Sequence, residues 1–578
     1  MRSSCDGQCC GVFFLSIFAT CKIEIHKELQ LEYMMPLSID RFNMRKIPYL
    51  FVILILFVSC NGVDMEQLRQ HATYLAEIDG AQWVVCFDDV SGDQVSGRAY
   101  KADKLVADKH PFTARVGKRS FVISVPGVAE NVTVRAKVKG GRIVCKGNGN
   151  LVKNIEIRSL DTPPYKSFRA QYDAPAYKVK VKKDVTYARA EGYWSSYPDT
   201  DEGFARIYAR RVPELMSGPE TIELKMDIYE PEGDKSTRRP LMVLIHGGAF
   251  YNGDKQDEPI VKWCRHYASL GYVVVSPNYR MGFKPNHESI DKAGYRATQD
   301  VHAAVRYMLH HASEYRINPD WLFLGGSSAG AITALNVTFM RDKDRPGTVL
   351  DEGPISKLAT AYKEKIKVRG VANMWGAVTD TLILANSPTT AIISFHGDAD
   401  NIVPYGHDYP FKNIVGPGGE IAKSLRKLFP SNDQKSGKAQ DELIAKMYGS
   451  QCIDQYARNH GMRSRLFTIR GAGHSLHVDE HRKISSYFYT IQDSVACFFY
   501  RELVPQPVSL RHVSKNSMTY TFDKSQVSEI YWQVKGGVLL EESADEIRVI
   551  FFGDEKKHGL MVSGKYKNGI EFKQSINL

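Results

Sequence analysis

Ser328 stands at the centre of Gly326-Ser327-Ser328-Ala329-Gly330, directly after the apolar run Trp321-Leu322-Phe323-Leu324 and before a small-residue stretch with a helical pattern. Strand, sharp turn and helix are the setting in which a G-x-S-x-G serine becomes a nucleophile. The glycines permit a strained turn packed close to its neighbours, the turn lifts the hydroxyl to the top of a sheet, and the amide of Ala329 faces any oxyanion formed there. Such a hydroxyl needs a base, and the base needs a group to orient it. Two further apolar runs end in residues of those types. Thr390 to Phe395 leads into His396-Gly397-Asp398-Ala399-Asp400, with two carboxylates just past the strand. Leu466 to Ile469 leads through Arg470 into Gly471-Ala472-Gly473-His474, an imidazole on a glycine-bordered loop. His477, three residues on, lacks a glycine turn before it, so His474 is the expected base. It would take the proton of Ser328 and return it to a leaving group, while one acid of the 398/400 pair fixes its tautomer.

A fourth run, Leu241 to Ile245, enters His246-Gly247-Gly248-Ala249-Phe250. Glycines at that point let amides turn toward a substrate carbonyl, and donors aimed at the developing oxyanion are usually the largest catalytic contribution. The expected oxyanion hole is therefore the amides of Gly248, Ala249 and Ala329, with His246 in a structural role.

The order Ser328, acid, His474 is that of α/β-hydrolases, and from about Val185 to Leu503 the chain resembles an α/β-hydrolase of the carboxylesterase type. Within that fold it is most similar to bacterial acyl-ester hydrolases with an H-G-G motif, including acetyl and feruloyl esterases. Leu224 to Pro231 before the oxyanion strand, Gly271 to Arg280 after it, Ala293 to Tyr315 as the helix entering the elbow strand, Arg316 to Asp320 as a turn, and Tyr448-Gly449-Ser450 in a helical stretch all fit. In hydrolases with an H-G-x-x-D-x-x-V-P segment the second acid is the orienting one, so the resemblance selects Asp400 over Asp398. It implies an α/β fold, a mostly parallel sheet flanked by helices, and acyl transfer to water without cofactor. Two features depart from the pattern. Ala249 stands where a third glycine is usual, and a charged, glycine-bearing insertion near 416–438 reads either as a lid or as a surface excursion.

The formal net charge is +11, and its clearest run, Lys178, Lys180, Lys182 and Lys183, alternates as the solvated face of a strand. Basic residues are not interleaved with aromatics, so no nucleic-acid partner is expected. Met44-Arg45-Lys46 followed by apolar Ile47 to Val58 reads as a signal peptide, with 1–43 as a mis-called extension. Cys60 resembles the cysteine of a relaxed bacterial lipobox, which leaves lipidation with membrane attachment and plain cleavage as alternatives. Of ten cysteines, Cys86, Cys145, Cys264, Cys452 and Cys497 follow Cys60. Cys86 and Cys145 are candidates for a bridge or for buried thiols, and no spacing suits a metal site.

The expected organisation is thus 44–60 signal peptide, 61–184 mostly-β accessory domain, 185–504 catalytic domain and 505–578 β-sandwich. The first β domain would open with a helical pattern from Met65 to Ile78. The last segment, with its Tyr531-Trp532 strand, Gly536-Gly537 and Asn568-Gly569, resembles PKD-like immunoglobulin domains of exported bacterial proteins. Together these features point to an exported serine ester hydrolase acting on small-molecule or carbohydrate esters. The rival readings are a serine peptidase of the prolyl-oligopeptidase kind, for which the region before the hydrolase is too short to form a propeller, and a non-catalytic surface binding protein on the same scaffold.

Overall fold

The apolar runs before each motif form strands that lie side by side. The computed structural model describes residues 73–576, apart from 412–444 and breaks at 79–80, 93, 117–119, 126–128, 140–141, 148, 153–154, 161–165, 167, 169, 199–203, 285, 505–507, 509 and 513–517. The extension 1–43, the signal segment 44–60 with Cys60, and the insertion 416–438 therefore lie outside the described residues. The chain divides into two units. One is Gln171–Pro505, and the other joins the chain up to Ala170 with the chain from Gln506.

The unit Gln171–Pro505 is built on an eight-stranded sheet. Its strands are β1 (Lys178–Gly192), β2 (Glu220–Glu232), β3 (Arg239–Ile245), β4 (Val273–Pro277), β5 (Ile317–Ser327), β6 (Val368–Met374), β7 (Ala391–Gly397) and β8 (Ser464–Ile469). They lie in the order β1-β2-β4-β3-β5-β6-β7-β8. The first three are antiparallel neighbours. From β4 onward every pairing is parallel. The helices are α1 (Phe204–Ser217), α2 (Glu258–Ser269), α3 (His287–His310), α4 (Ala329–Phe339), α5 (Ser450–Asn459) and α6 (Ser486–Leu503).

Parallel strands need helical crossovers, so both faces become covered and central strands read as unbroken apolar runs. Every residue of β3, β4 and β7 is buried. Side chains alternate between faces along β5. Leu322 and Leu324 join a core with Val301 of α3 and Leu335 of α4. Phe323, between them, stacks on Phe499 of α6, with centroids 4.4 Å apart. Trp263 of α2 stacks on Phe488 of α6 at 4.8 Å and extends that second layer. This is the α/β-hydrolase arrangement that the resemblance implies. Two local expectations shift. Residues 317–320 are not a turn but the start of β5, because Ile317 pairs with Arg239. Met447–Gly449 is a short strand, and α5 starts only at Ser450.

The lysine run is exposed as expected, but it belongs to β1, the edge strand of this sheet, and not to a preceding domain. Exposed lysines on an edge discourage pairing with a second chain.

In the other unit, the expected division into separate modules at 61–184 and 505–578 gives way to one body. A nine-stranded sheet runs from Ile155–Ser159 through Thr73–Ile78 and Ala81–Ser91 to Gly149–Val152, antiparallel throughout. The C-terminal strands form two further sheets, and Val106–Ala107 pairs with Phe551–Phe552 in one of them. Tyr100 stacks on Phe552 at 4.1 Å and its hydroxyl donates to Asp554 at 2.8 Å. Leu75, Val84, Leu540 and Ile550 share a core. Neither segment buries this apolar surface without the other. The expected helix at 65–78 is also corrected. Thr73–Ile78 is a strand bonded on both sides, and 65–72 lies outside the described residues.

A Cys86–Cys145 bridge does not form, since Cys86 is a buried free thiol. The strands that hold the two cysteines, Ala81–Ser91 and Arg142–Gly147, lie five places apart in the sheet. That is roughly 24 Å at the usual strand spacing, far beyond disulfide reach. Alkylation of the unfolded, unreduced protein is expected to label Cys86, as read by peptide mass spectrometry. A cross-linked Cys86–Cys145 peptide would contradict this.

Candidate functional site

Ser328 occupies the junction of β5 and α4 with φ 55° and ψ −121°. A positive φ at a non-glycine residue costs roughly 1–3 kcal/mol and persists only where the surroundings over-determine it. Here they do. The Ser328 amide donates to Met374 O at the end of β6, 2.9 Å away. The flanking glycines are sterically required: a Cβ on Gly326 would collide with the backbone of Gly330, and one on Gly330 would collide with Ile245 O and His246 O. All of α4 is buried, which explains why its sequence is small and apolar all round rather than striped.

The three residues brought together by distant motifs form an unbroken hydrogen-bonded chain. Ser328 Oγ lies 2.9 Å from His474 Nε2, and His474 Nδ1 lies 2.6 Å from Asp400 Oδ2. The Asp400 carboxylate is fully buried and the His474 side chain only 16% exposed. Oδ1 of Asp400 accepts the amides of Ile402 at 2.8 Å and Val403 at 3.0 Å. Burial works against the charge on Asp400. Hydrogen bonds from His396 and His474, the His474 charge and the Ile402 amide more than offset it, and the carboxyl is held well below its ordinary range.

The rejected alternatives have other places. Asp398 accepts the amide of Gly471 at 2.6 Å, which ties down the loop that presents His474. His477 is stacked between Trp375 (5.1 Å) and Trp263 (5.8 Å), and burial pushes its pKa down to about 4, so it is a neutral packing group.

The oxyanion turn is equally specific. Gly248, Ala249 and Phe250 all have positive φ, at 100°, 53° and 58°. A Cβ on Gly248 would collide with Asn252 O, so only glycine fits. A Cβ on Gly247 would sit 3.4 Å from Ser328 Cβ, which places this backbone against the nucleophile. Among the described residues neither the Gly248 nor the Ala249 amide donates to a backbone carbonyl. Ala329 is the first residue of α4, where helical amides lack an internal acceptor. His246 is buried and stacked on Tyr279 at 4.3 Å, consistent with a structural role.

Three contributors escaped the sequence reading. The Tyr279 hydroxyl donates to both His246 O and Gly247 O at 3.0 Å and braces the oxyanion turn. Trp375, fully buried at φ 47°, backs His474 edge-on at 6.3 Å. His396 places Nε2 3.3 Å from Asp400 Oδ2. His396 carried a signal, since it opens the same motif as the two acids, and Tyr279 lies in the stretch from Gly271 to Arg280 that fits the resemblance.

Residues 226–389, less than half of the chain, match a protein-family model described as BD-FAE. The chain is similar to gut esterase 1 of Caenorhabditis elegans, 26% identical over 117 residues that make up 20% of each chain. It is also similar to the para-nitrobenzyl esterase of Bacillus subtilis, 32% identical over 114 residues, or 19% of this chain and 23% of the relative. The chain thus spans about a fifth of the length of these curated relatives. Among solved structures, esterase 2 of Thermogutta terrifontis phosphoramylated by tabun is 18% identical, covering 49% of this chain and 92% of its own with a TM-score of 0.32.

Proposed function

We propose that this chain is a serine carboxylic-ester hydrolase that works through an acyl-enzyme. The observation that carries the reading is the continuous Ser328–His474–Asp400 hydrogen-bond chain on a strained elbow. Ser328 Oγ attacks the acyl carbon while His474 Nε2 takes its proton. The oxyanion is received by the amides of Gly248, Ala249 and Ala329. The tetrahedral species collapses, the C–O bond to the alcohol breaks, and His474 protonates the departing oxygen. Water then repeats the sequence and frees Ser328. Asp400 holds the imidazole with Nε2 toward the serine and stabilises its cation.

The substrates we propose are acyl or aryl esters of carbohydrates, of the acetyl or feruloyl type. Support comes from the similarity of the matched segment to esterases and from the β unit joined to the catalytic one. Export through the segment 44–60, with Cys60 either lipidated or cleaved away, and a PKD-like character for the C-terminal strands belong to the same proposal. A panel of p-nitrophenyl acetate and butyrate, acetylated and feruloylated sugars, and aminoacyl-proline anilides tests it. Turnover of the esters and not the anilides is expected. Anilide cleavage alone would assign a peptidase, and binding without turnover of any ester would assign a non-catalytic scaffold.

A further inference from the structure

Resting on that reading, we infer that His396 is a second imidazole on the Asp400 carboxylate, a positioning residue locked in one tautomer by a directional chain of buried hydrogen bonds from Asn373 through Ser450. The chain starts at the end of β6. The Gly376 amide donates to Asn373 Oδ1 at 2.9 Å, which fixes the orientation of that side-chain amide. Its Nδ2 then points at Ser450 Oγ, 3.0 Å away, and at Ser394 Oγ, 3.1 Å away. Because Ser450 Oγ accepts from Asn373, its own proton is free to donate to His396 Nδ1 at 2.7 Å. An Nδ1 that accepts leaves the proton on Nε2. Among the described residues that nitrogen faces two acceptors and no donor, Val403 O at 3.1 Å and Asp400 Oδ2 at 3.3 Å. The Nε2 proton is shared between them, so His396 clamps both ends of the turn from Asp400 to Val403.

Asn373, Ser394, His396 and Ser450 are all fully buried. A satisfied buried network of this kind rigidifies what it touches, and each member is costly to leave unpaired. The network also reaches the other half of the site. Met374, next to Asn373, accepts the Ser328 amide, so the elbow and the acid turn hang from one strand end. Ser450 is held in register because Gly449 packs against Pro404 O so closely that no Cβ fits. A histidine that merely filled the core would need none of this directionality.

The electrostatic consequence has a sign. A donor on Asp400 Oδ2 competes with His474 for the same oxygen. Removing it leaves Asp400 a stronger acceptor toward His474, so the imidazolium form is favoured and the acid limb of kcat/KM moves upward. Among the described residues the titratable groups around His396 are Asp400 from its own turn, Tyr405 with its ring 5.7 Å away, and His474 beyond the shared carboxylate. From α5 it meets Ser450, which is bonded in turn to Asn373 of β6, and neither of these titrates.

The test uses the full chain with the active fraction counted by titration with a fluorophosphonate that esterifies Ser328. Asn in place of His396 can accept from Ser450 but cannot reach Asp400. His396→Asn is expected to lower kcat per titrated site ~10–100-fold, by analogy with the loss of the hydrogen-bond partner behind a metal-bound histidine, with KM little changed and the acid limb moved upward. His396→Gln, which restores a donor near the Nε2 position, is expected to recover much of that loss. Ser450→Ala removes only a hydroxyl and keeps the protein testable if the histidine variants fold poorly. It is expected to change kcat and the limb in the same direction but less. Unchanged kcat per site and an unmoved limb in His396→Asn and Ser450→Ala would overturn the inference. If the wild-type chain hydrolyses no ester, the proposed function fails instead, before these variants are compared.

Discussion

Ser328→Ala is expected to reduce kcat for p-nitrophenyl acetate and butyrate about 10⁶-fold, the loss seen when the nucleophile of a cooperative triad is removed. The substitution deletes only Oγ. Among the described residues its side-chain partner is His474 Nε2 at 2.9 Å, and the backbone anchor, the amide on Met374 O, remains. Alanine faces the same positive φ as serine, so the strain at the elbow is unchanged and the thermal midpoint should stay within a few degrees. The oxyanion turn is likewise untouched, because Tyr279 and the 248–252 backbone hold it without the serine. Ester binding should therefore survive and the loss should fall on kcat. The check is a side-by-side progress curve with a contaminant-free wild-type control. Equal rates would remove Ser328 from the mechanism.

Ser328 and His474 were legible because each lies in a short motif that follows its own strand, and parallel strands bring their ends to one edge of the sheet, whereas the choice of Asp400 over Asp398 came from the resemblance. Ser328 and His474 are 146 residues apart in sequence, yet the rule that parallel strands share a direction was enough to join them. His396 shows where that reading stops. Its imidazole points back into the fold, to a serine 54 residues away on α5, and nothing in a one-dimensional pattern specifies such a pairing. Asn373 and Ser450, 77 residues apart, are alike in this. The same limit explains the β unit. Strand patterns in the first and last parts of the chain were readable, but pairing between Val106–Ala107 and Phe551–Phe552 depends on surfaces, not on local sequence. Alternation marked the lysine run as a strand without saying which sheet it joins. The helical reading of Met65 to Ile78 failed at 73–78 because strand partners on both sides outweigh a weak local period.

Asp400 and Asp398 separate most sharply by substitution. Asp400→Asn is expected to lower kcat ~10⁴-fold, because an amide in place of the carboxylate can turn its NH₂ to the imidazole and impose the wrong tautomer. Asp398→Asn should cost far less. Among the described residues the Asp398 side chain accepts the Gly471 amide, and an asparagine oxygen can do the same. The two should also differ in acid. Asp400 is held below its ordinary range in the fold, so its contribution to stability is present above the unfolded carboxylate value of about 3.9 and is lost as pH falls through the lower folded value. At neutral pH Asp400→Asn should therefore melt below the wild type, and the gap should close as the pH drops below 4. Titration of Asp400 itself cannot produce an activity loss near neutrality, so any acid limb there belongs to another group of the site. Melting curves between pH 3 and pH 7 on both variants, beside kcat at pH 7, decide the matter. A dead Asp398→Asn with an active Asp400→Asn would reverse the assignment. It would also leave the 2.6 Å contact between His474 and Asp400 without a role in turnover.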